Sequence, residues 1–420
     1  MLLQFSIKNF KIFKDKATLS LIASNYDKDT REDENICLEE KFGFKLLKSA
    51  VIYGANASGK SKLLEAFTFM KNFVINGPKE SGRGENIEIQ PFLLCEETEN
   101  EPSEFEVIFL FNDILFRYGF EATRQKIVSE WLYYKPKTKE IELFYREGDN
   151  FDIHDRNFTK GGAIVKEGLV RNNTLLLSVA AKFNEAIAIT VGDWFKTLIA
   201  FSGLNELDYK IFTTKKIKVP TYKEKILELL KVADLGIRDI ERLQLDAESE
   251  FFLDQIITVH KKYDSNKKAV DHVNFSLDDD ESSGTKKFFA LAGPILDAIE
   301  NGYTLVVDEL DSKLHPNLVC RIVSLFNSKE FNKKNAQLIF NAQDTNLLSS
   351  GLFRRDQIWF TEKDKYGGAR LYSLADFKSD EVKKNESFED NYIKGKYGAV
   401  PFLGFFDNLN STLSQLYSNW

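Results

Sequence analysis

The chain has 420 residues, 43% of them hydrophobic, with a net charge of −7 and a pI near 5.5. This is enough apolar material for a large core divided between more than one lobe, while the acidic balance argues against broad non-specific nucleic-acid binding and leaves room only for a local basic groove. Cys37, Cys95 and Cys320 lie far apart in or beside apolar stretches, which fits buried free thiols in a reducing, cytoplasmic compartment better than a disulfide framework or a metal cluster. Lysines interrupt the N-terminal apolar positions, and no uncharged run reaches the roughly 18 residues of a membrane span, so no export or membrane role follows.

Residues 2–23 alternate apolar and polar positions on both sides of Phe13-Lys14-Asp15-Lys16, which predicts a β-hairpin, whereas residues 24–45 are charged and irregular. The apolar run KSAVIY then predicts a buried strand. It is followed by Gly54-Ala55-Asn56-Ala57-Ser58-Gly59-Lys60-Ser61, an unbroken GxxxxGK[ST], and by the helical stretch SKLLEAFTFMKNFV. Strand, glycine-rich turn and helix are the context in which this motif binds phosphate. Its backbone N–H groups form an anion nest on the positive end of the helix dipole, and the glycines let phosphate oxygens approach. Lys60 then reaches the β- and γ-phosphates of a nucleotide, and the Ser61 hydroxyl takes one Mg²⁺ position. Beyond a Gly/Lys/Glu loop, EFEVIFLF, ILFRYGFEA and SEWLYYK read as strands, the last two continuing the N-terminal sheet. Residues 139–170 suggest short strands and polar turns, and residues 175–201 one long buried helix. A basic stretch with Lys215, Lys216, Lys218, Lys223 and Lys225 leads into a helix ending at Gly236; its lysines fit a solvated helix approach as well as phosphate contacts to nucleic acid.

In the second half, Glu281-Ser282-Ser283-Gly284-Thr285 precedes an amphipathic helix. Its small residues make either another anion site at a helix N-terminus or simply a good N-cap. About 20 residues later an apolar strand, Thr304 to Val307, ends in Asp308 and Glu309. In a nucleotide site Asp308 would hold Mg²⁺ through water and Glu309 would polarise the attacking water. The acidic run Asp278-Asp279-Asp280-Glu281 reads as a solvated loop, since a two-metal nuclease site needs carboxylates from separate elements. His154, His260, His272 and His315 show no metal-ligand spacing.

A phosphate loop, a Ser-x-Gly signature, a strand with Asp-Glu and then Leu310-Asp311-Ser312 resembles, in that order, the ABC-type ATPase superfamily. The hairpin with Asn9-Phe10, the stretches ESSGTKK and VVDELDSKLHP, and the C-terminal LFRRDQIWFTEKD, LYSLADF and YIKGKYGAVP are similar, over nearly the whole chain, to the bacterial ATPase family of RloA and the first AbiL component, close to RecF-like and OLD-type heads. Roughly 250 residues separate the phosphate loop from the carboxylates without sustained heptads, so the insertion is expected to be a compact lobe and not a coiled-coil arm.

The resemblance implies an α/β P-loop head of ABC type: a mixed central sheet with helices, an antiparallel β subdomain and a compact helical insertion. The expected divisions are 1–138 for the N-terminal ATPase lobe, 139–250 for the inserted lobe and 251–420 for the C-terminal ATPase lobe. It implies ATP and Mg²⁺ as cofactors, and a homodimer or higher homo-oligomer in which Ser282, Ser283 and Gly284 of one subunit act on nucleotide held by Gly54 to Ser61 of the other. Glu309, Lys60 and Gln343 become the catalytic set, Asp311 the D-loop aspartate, and Ser61, Asp308 and Gln90 the Mg²⁺ set. Gln90, before Pro91, is equally readable as a polar strand-end residue. Gln343 stands where such ATPases carry a switch histidine; it can hydrogen-bond but cannot take a proton, so hydrolysis is expected to be slow. The implied role is an ATPase that regulates a separate effector, nuclease or Toprim-like and encoded nearby, in antiphage defence by abortive infection. The alternatives are a RecF-like repair ATPase that clamps DNA directly and a non-hydrolysing nucleotide-dependent scaffold. The roughly 80 residues after the FNAQD strand hold no spaced carboxylate set. Their aromatic tail, with Tyr392, Tyr397, Phe402, Phe405 and Phe406, either packs on the head or docks a partner.

Overall fold

The computed structural model describes residues 1–25, 30–77, 86–200, 206–233, 236–243, 255–378, 381–382 and 386–401. Its centre is a six-stranded sheet in the order β11 (Leu198–Ala200), β15 (Thr304–Val307), β16 (Gln337–Asn341), β5 (Ser49–Tyr53), β17 (Ile358–Lys363) and β18 (Ala369–Ser373). All neighbouring pairs are parallel except β17 with β18. A parallel strand covered on both faces needs apolar residues at every position, and all five residues of β5 are buried. The two-residue period of the strand divides them: Ala50 and Ile52 join Val306, Ile339 and Trp359 in one core, while Val51 and Tyr53 join Leu305, Val307, Leu338 and Phe340 in the other.

A seven-stranded antiparallel sheet lies across the first of these cores. Its order is β10 (Asn150–Ile153), β9 (Ile141–Glu147), β8 (Ile127–Lys135), β7 (Ile114–Ala122), β6 (Ser103–Phe111), β1 (Leu2–Lys8) and β2 (Ala17–Ser20). Between the sheets run α2 (Lys60–Asn76), α4 (Leu176–Lys182) and α5 (Ala186–Thr197). Phe67 of α2 stacks on Phe5 of β1 with ring centres 3.7 Å apart, and Trp194 of α5 stacks on Phe109 of β6 at 3.8 Å. Glu130 of β8 is wholly buried and accepts from the N–H groups of Leu176 and Leu177 at 2.6 and 3.0 Å and from the Tyr118 hydroxyl at 3.0 Å, which caps α4. Burial pushes its carboxyl up, against the pull of the buried Arg146 guanidinium 3.9 Å away.

On the other face of the central sheet lie α8 (Ser283–Asn301) and α9 (Pro316–Asn327), and α8 carries α6 (Glu206–Lys216) and α7 (Pro220–Val232). A three-stranded sheet of β12 (Ile237–Leu243), β13 (Gln255–Tyr263) and β14 (Ala269–Ser276) leads into the start of α8. Smaller pieces are α1 (Glu32–Asn35), the hairpin of β3 (Ile36–Glu39) and β4 (Phe44–Leu47), α3 (Thr159–Lys166), α10 (Asn346–Ser349) and α11 (Phe388–Ile393). No described helix is long and apolar enough to cross a membrane.

The N-terminal hairpin forms as expected, but several local expectations change. EFEVIFLF also joins the antiparallel sheet, as the strand that pairs with β1, and the sheet continues through β9 and β10. The strands at 141–147 and 150–153, expected at the start of the inserted lobe, thus continue the sheet built on β1 and β6 to β8. Within the described part of the stretch expected to be one long helix, 175–200, there are two helices and a strand: Asn184 takes a left-handed φ of 62° that ends α4, and Leu198 to Ala200 extend to pair with β15. Residues expected to be irregular before β5 contain α1 and the β3–β4 hairpin. Helix α7 stops at Val232, short of Gly236. The three cysteines are free but half-exposed instead of buried. Tyr392 and Tyr397 are buried against Phe360, whereas Phe402, Phe405 and Phe406 lie outside the described residues.

Candidate active site

Because β5, β15 and β16 are parallel neighbours, their carboxyl ends open at one edge of the sheet, where a doubly covered sheet binds its ligand. The phosphate loop leaves β5 there. Gly54 has φ 155° and a Cβ on it would lie 2.4 Å from the Thr361 carbonyl oxygen; Gly59 has φ 118° and a Cβ on it would lie 2.8 Å from Ile12. Neither position accepts a side chain, so the glycines are dictated by the loop's own packing as well as by room for phosphate. Ser58 is buried and bonds Thr361 through their hydroxyls at 2.7 Å, which pins the middle of the loop to β17. Lys60, 7% exposed, donates to the carbonyls of Gly54 and Ala55 at 2.7 and 3.2 Å. Burial lowers its pKa, opposed by the carboxylates of Glu309, Asp311 and Asp308.

The Ser61 hydroxyl donates to the Asp308 carboxylate at 3.0 Å, so the two Mg²⁺ candidates that are 247 positions apart meet directly. This pair offers only hard oxygen donors, the chemistry that Mg²⁺ selects, and it lies at the N-terminus of α2 where a nucleotide's phosphates fit the loop. Gln90 does not join it. The Gln90 carbonyl accepts from Lys11 N–H at 2.8 Å, in a segment next to Ile12 and Gly59, but its exposed side chain makes no hydrogen bond to Ser61 or Asp308.

Glu309 adopts φ 49°, a left-handed conformation uncommon for a residue with a side chain. Its N–H donates to the Asn341 side-chain oxygen, and the Asn341 amide nitrogen donates to Asp308, so one asparagine at the end of β16 holds both carboxylate residues. The Gln343 amide donates to the Glu309 carboxylate at 3.3 Å, placing the expected switch residue beside the expected base. Asp311 accepts from the N–H groups of Gln343 and Asp344 at 2.7 and 2.6 Å and so fixes the turn that presents Gln343.

The signature segment stands apart. Ser282 caps α8 by accepting from Thr285 N–H at 3.1 Å; Ser282 and Ser283 are exposed, and Ser282, Ser283 and Gly284 make no hydrogen bond to residues 54–61. A Cβ on Gly284 would lie 2.7 Å from the Lys313 carbonyl oxygen, so the segment packs on the turn that follows Asp311. His315 caps α9, its Nδ1 accepting from Asn317 N–H at 3.2 Å.

Sequence reasoning missed Asn341, Thr361 and Lys287, whose amine donates to the Glu309 carbonyl. Asn341 had a signal, a polar residue closing an apolar strand beside the Asp308 strand. Thr361 and Lys287 had none, since threonine is ordinary in a strand and lysine on a helix is normally solvated.

Comparison with curated proteins gives no match. Residues 49–349 match the model of a protein family described as "AAA domain, putative AbiEii toxin, Type IV TA system". The match spans most of the chain, from β5 to the end of α10, and thus takes in the phosphate loop, the signature segment, both carboxylates and the Gln343 turn. The chain therefore belongs to this AAA-domain family, within the AAA/ABC-like class of P-loop ATPases.

Proposed function

We propose that this protein is an ABC-type ATPase head that binds ATP and Mg²⁺, closes as a homodimer around two nucleotides, and through that closure controls a separate effector in antiphage defence. The observation that carries the ATPase reading is the meeting of Ser61 with Asp308, followed in chain by a Glu309 whose carboxylate has, among the described residues, Gln343 as its one hydrogen-bond partner. Mg²⁺ supplies charge neutralisation at the β- and γ-phosphates when bound. Lys60 and the loop N–H groups position the phosphates, Glu309 accepts a proton from the attacking water, and the Gln343 amide orients that water without taking the proton. The dimer reading is supported by Ser282 and Ser283, exposed at a helix N-terminus and directed to no group of their own phosphate loop. The family description, with its toxin of a type IV system, supports a role in abortive infection, and the resemblance to RloA and the first AbiL component supports a nuclease or Toprim-like effector.

A direct DNA clamp has less support. Lys216, Lys223 and Lys225 of the basic stretch are paired with Asp297, Asp239 and Glu300. Lys60→Ala should abolish ATP binding, and Glu309→Gln should keep binding but lower hydrolysis by about 10²- to 10⁴-fold and accumulate the ATP-bound dimer. Parental hydrolysis in Glu309→Gln would refute Glu309 as the base. DNA affinity falling steeply with salt would instead favour the clamp.

A further inference from the structure

Lys287 is 5% exposed and lies two residues beyond the cap-forming Thr285 on α8, its amine donating to the main-chain oxygen of Glu309. Burying an ammonium costs desolvation energy that a surface lysine avoids, and burial lowers the Lys287 pKa against the opposing pull of the Glu206, Asp311 and Glu309 carboxylates. Capping that oxygen does not by itself require it, because Ser312 N–H already donates there at 3.1 Å. What Lys287 adds is a donor from a different element. Glu309 thereby has its N–H held by Asn341 of β16 and its C=O held from α8, across a left-handed backbone conformation of φ 49°. Beside this bond is a cavity of about 490 Å³, lined by Glu206 and Tyr209 of α6, by Lys287 and Leu291 of α8, and by Ser312. Thr285, Phe288 and Phe289 around Lys287 are buried, so the first turns of α8 are packed as one unit with the lysine and a displacement of that helix is passed to the Glu309 backbone.

We propose that Lys287 is a positioning residue that links the signature to hydrolysis, carrying a displacement of the α8 N-terminus on the partner subunit's nucleotide to the backbone of Glu309 in its own site. The inference rests on the composite-site reading given above. A shift of about 1 Å at a reacting group is worth up to about 100-fold in rate, so a single side chain of this kind is enough to set one site's activity by the occupancy of the other.

The test uses the full chain with ATP and Mg²⁺, comparing Lys287→Met, which deletes the donor, with Lys287→Arg, which keeps one. Lys287→Met should lower kcat by about 10- to 100-fold with ATP affinity within about threefold, and should bring the Hill coefficient for ATP towards 1, while Lys287→Arg recovers most of both. Combined with Glu309→Gln it should cost no more than Glu309→Gln alone, because both act through one group. A kcat within about twofold of the parent, an unchanged Hill coefficient, or a full additional loss in the double variant would each overturn the inference. Should Lys287→Met fail to melt cooperatively, Lys287→Gln carries the same expectations. A Glu309→Gln variant as active as the parent would mean that the site reading fails; an inactive one beside a fully active Lys287→Met would mean that the reading stands and only this inference falls.

Discussion

Glu130, in the middle of β8, and Glu309, just past the end of β15, are treated by the chain in opposite ways. At Glu130 the carboxylate is saturated: two N–H groups, a tyrosine hydroxyl and Arg146 surround it, and Arg146 itself donates to the carbonyls of Gly148 and Thr174 at 2.8 and 2.7 Å. At Glu309 the backbone is saturated and the carboxylate is not, its one hydrogen-bond partner among the described residues being the Gln343 amide. A buried, charge-paired carboxylate is thus a poor guide to chemistry in this molecule. A carboxylate left under-bonded on an immobilised backbone is the better guide, because it has capacity for a substrate proton and needs no reorganisation to use it.

The contrast breaks if the two glutamates respond alike to mutation. Glu130→Ala should lower stability by about 3–5 kcal/mol by stranding Arg146 and the α4 N–H groups, read as a fall in the urea midpoint. Glu309→Ala should change the unfolding free energy by less than about 1 kcal/mol, since its side chain holds little, while removing hydrolysis. Equal destabilisation would end the distinction. Asn341→Ala sharpens it, because it frees the Glu309 backbone and leaves the Glu309 carboxylate in place, while also removing one donor to Asp308. Hydrolysis should fall by about 10- to 100-fold with ATP affinity nearly unchanged, and unfolding free energy by about 1–3 kcal/mol. Gln343→His should raise turnover by up to about tenfold, by giving the Glu309 neighbour a proton-accepting ring. A drop would show that the glutamine has a role of its own.

The smallest effect is at the edge of the site, where Glu65 on α2 bonds Lys11 and Lys62. Burial works to raise its pKa, but the two lysine hydrogen bonds prevail and the net shift is downward. A lowered folded pKa means that its contribution is present above the unfolded value near 4.5 and is lost as pH falls through the lower folded value. Glu65→Gln should therefore cost up to about 1 kcal/mol at pH 7 and nothing in strong acid, measured by urea unfolding across pH.

How much was legible follows from what each feature depends on. The phosphate loop and the Asp308 strand could be read because each is a local pattern: five buried positions, then residues whose φ only glycine adopts freely, then a helix. The break at Asn184 was not legible, because LLLSVAAKFNEAIAITVGDWFKTLIA has continuous helical character and the turn is held by tertiary contacts, with Glu185 accepting from Lys160 N–H at 2.9 Å. Lys287 and Thr361 acquire meaning only when distant segments meet, 22 and 303 positions away in sequence. Gln90 failed for the converse reason: its place beside Pro91 suggested a role, but its side chain is turned to solvent while its carbonyl does the bonding.

The composite site is the central claim, and subunit mixing tests it most directly. Gly284 is a poor place to block the signature, because any Cβ there meets the Lys313 carbonyl of the same chain at 2.7 Å; the neighbouring Ser283 is exposed, and aspartate there sets a carboxylate against the partner's γ-phosphate with little internal cost. Lys60→Ala and Ser283→Asp should each lack ATPase activity alone. An equal mixture, after subunit exchange, should recover activity up to about a quarter of the parental rate, since half the dimers are mixed and each of those has one intact site, with coupling to the empty second site lowering the figure. Recovery within that limit is the result the account requires. No recovery at any mixing ratio, with mixed dimers shown to form, would contradict it.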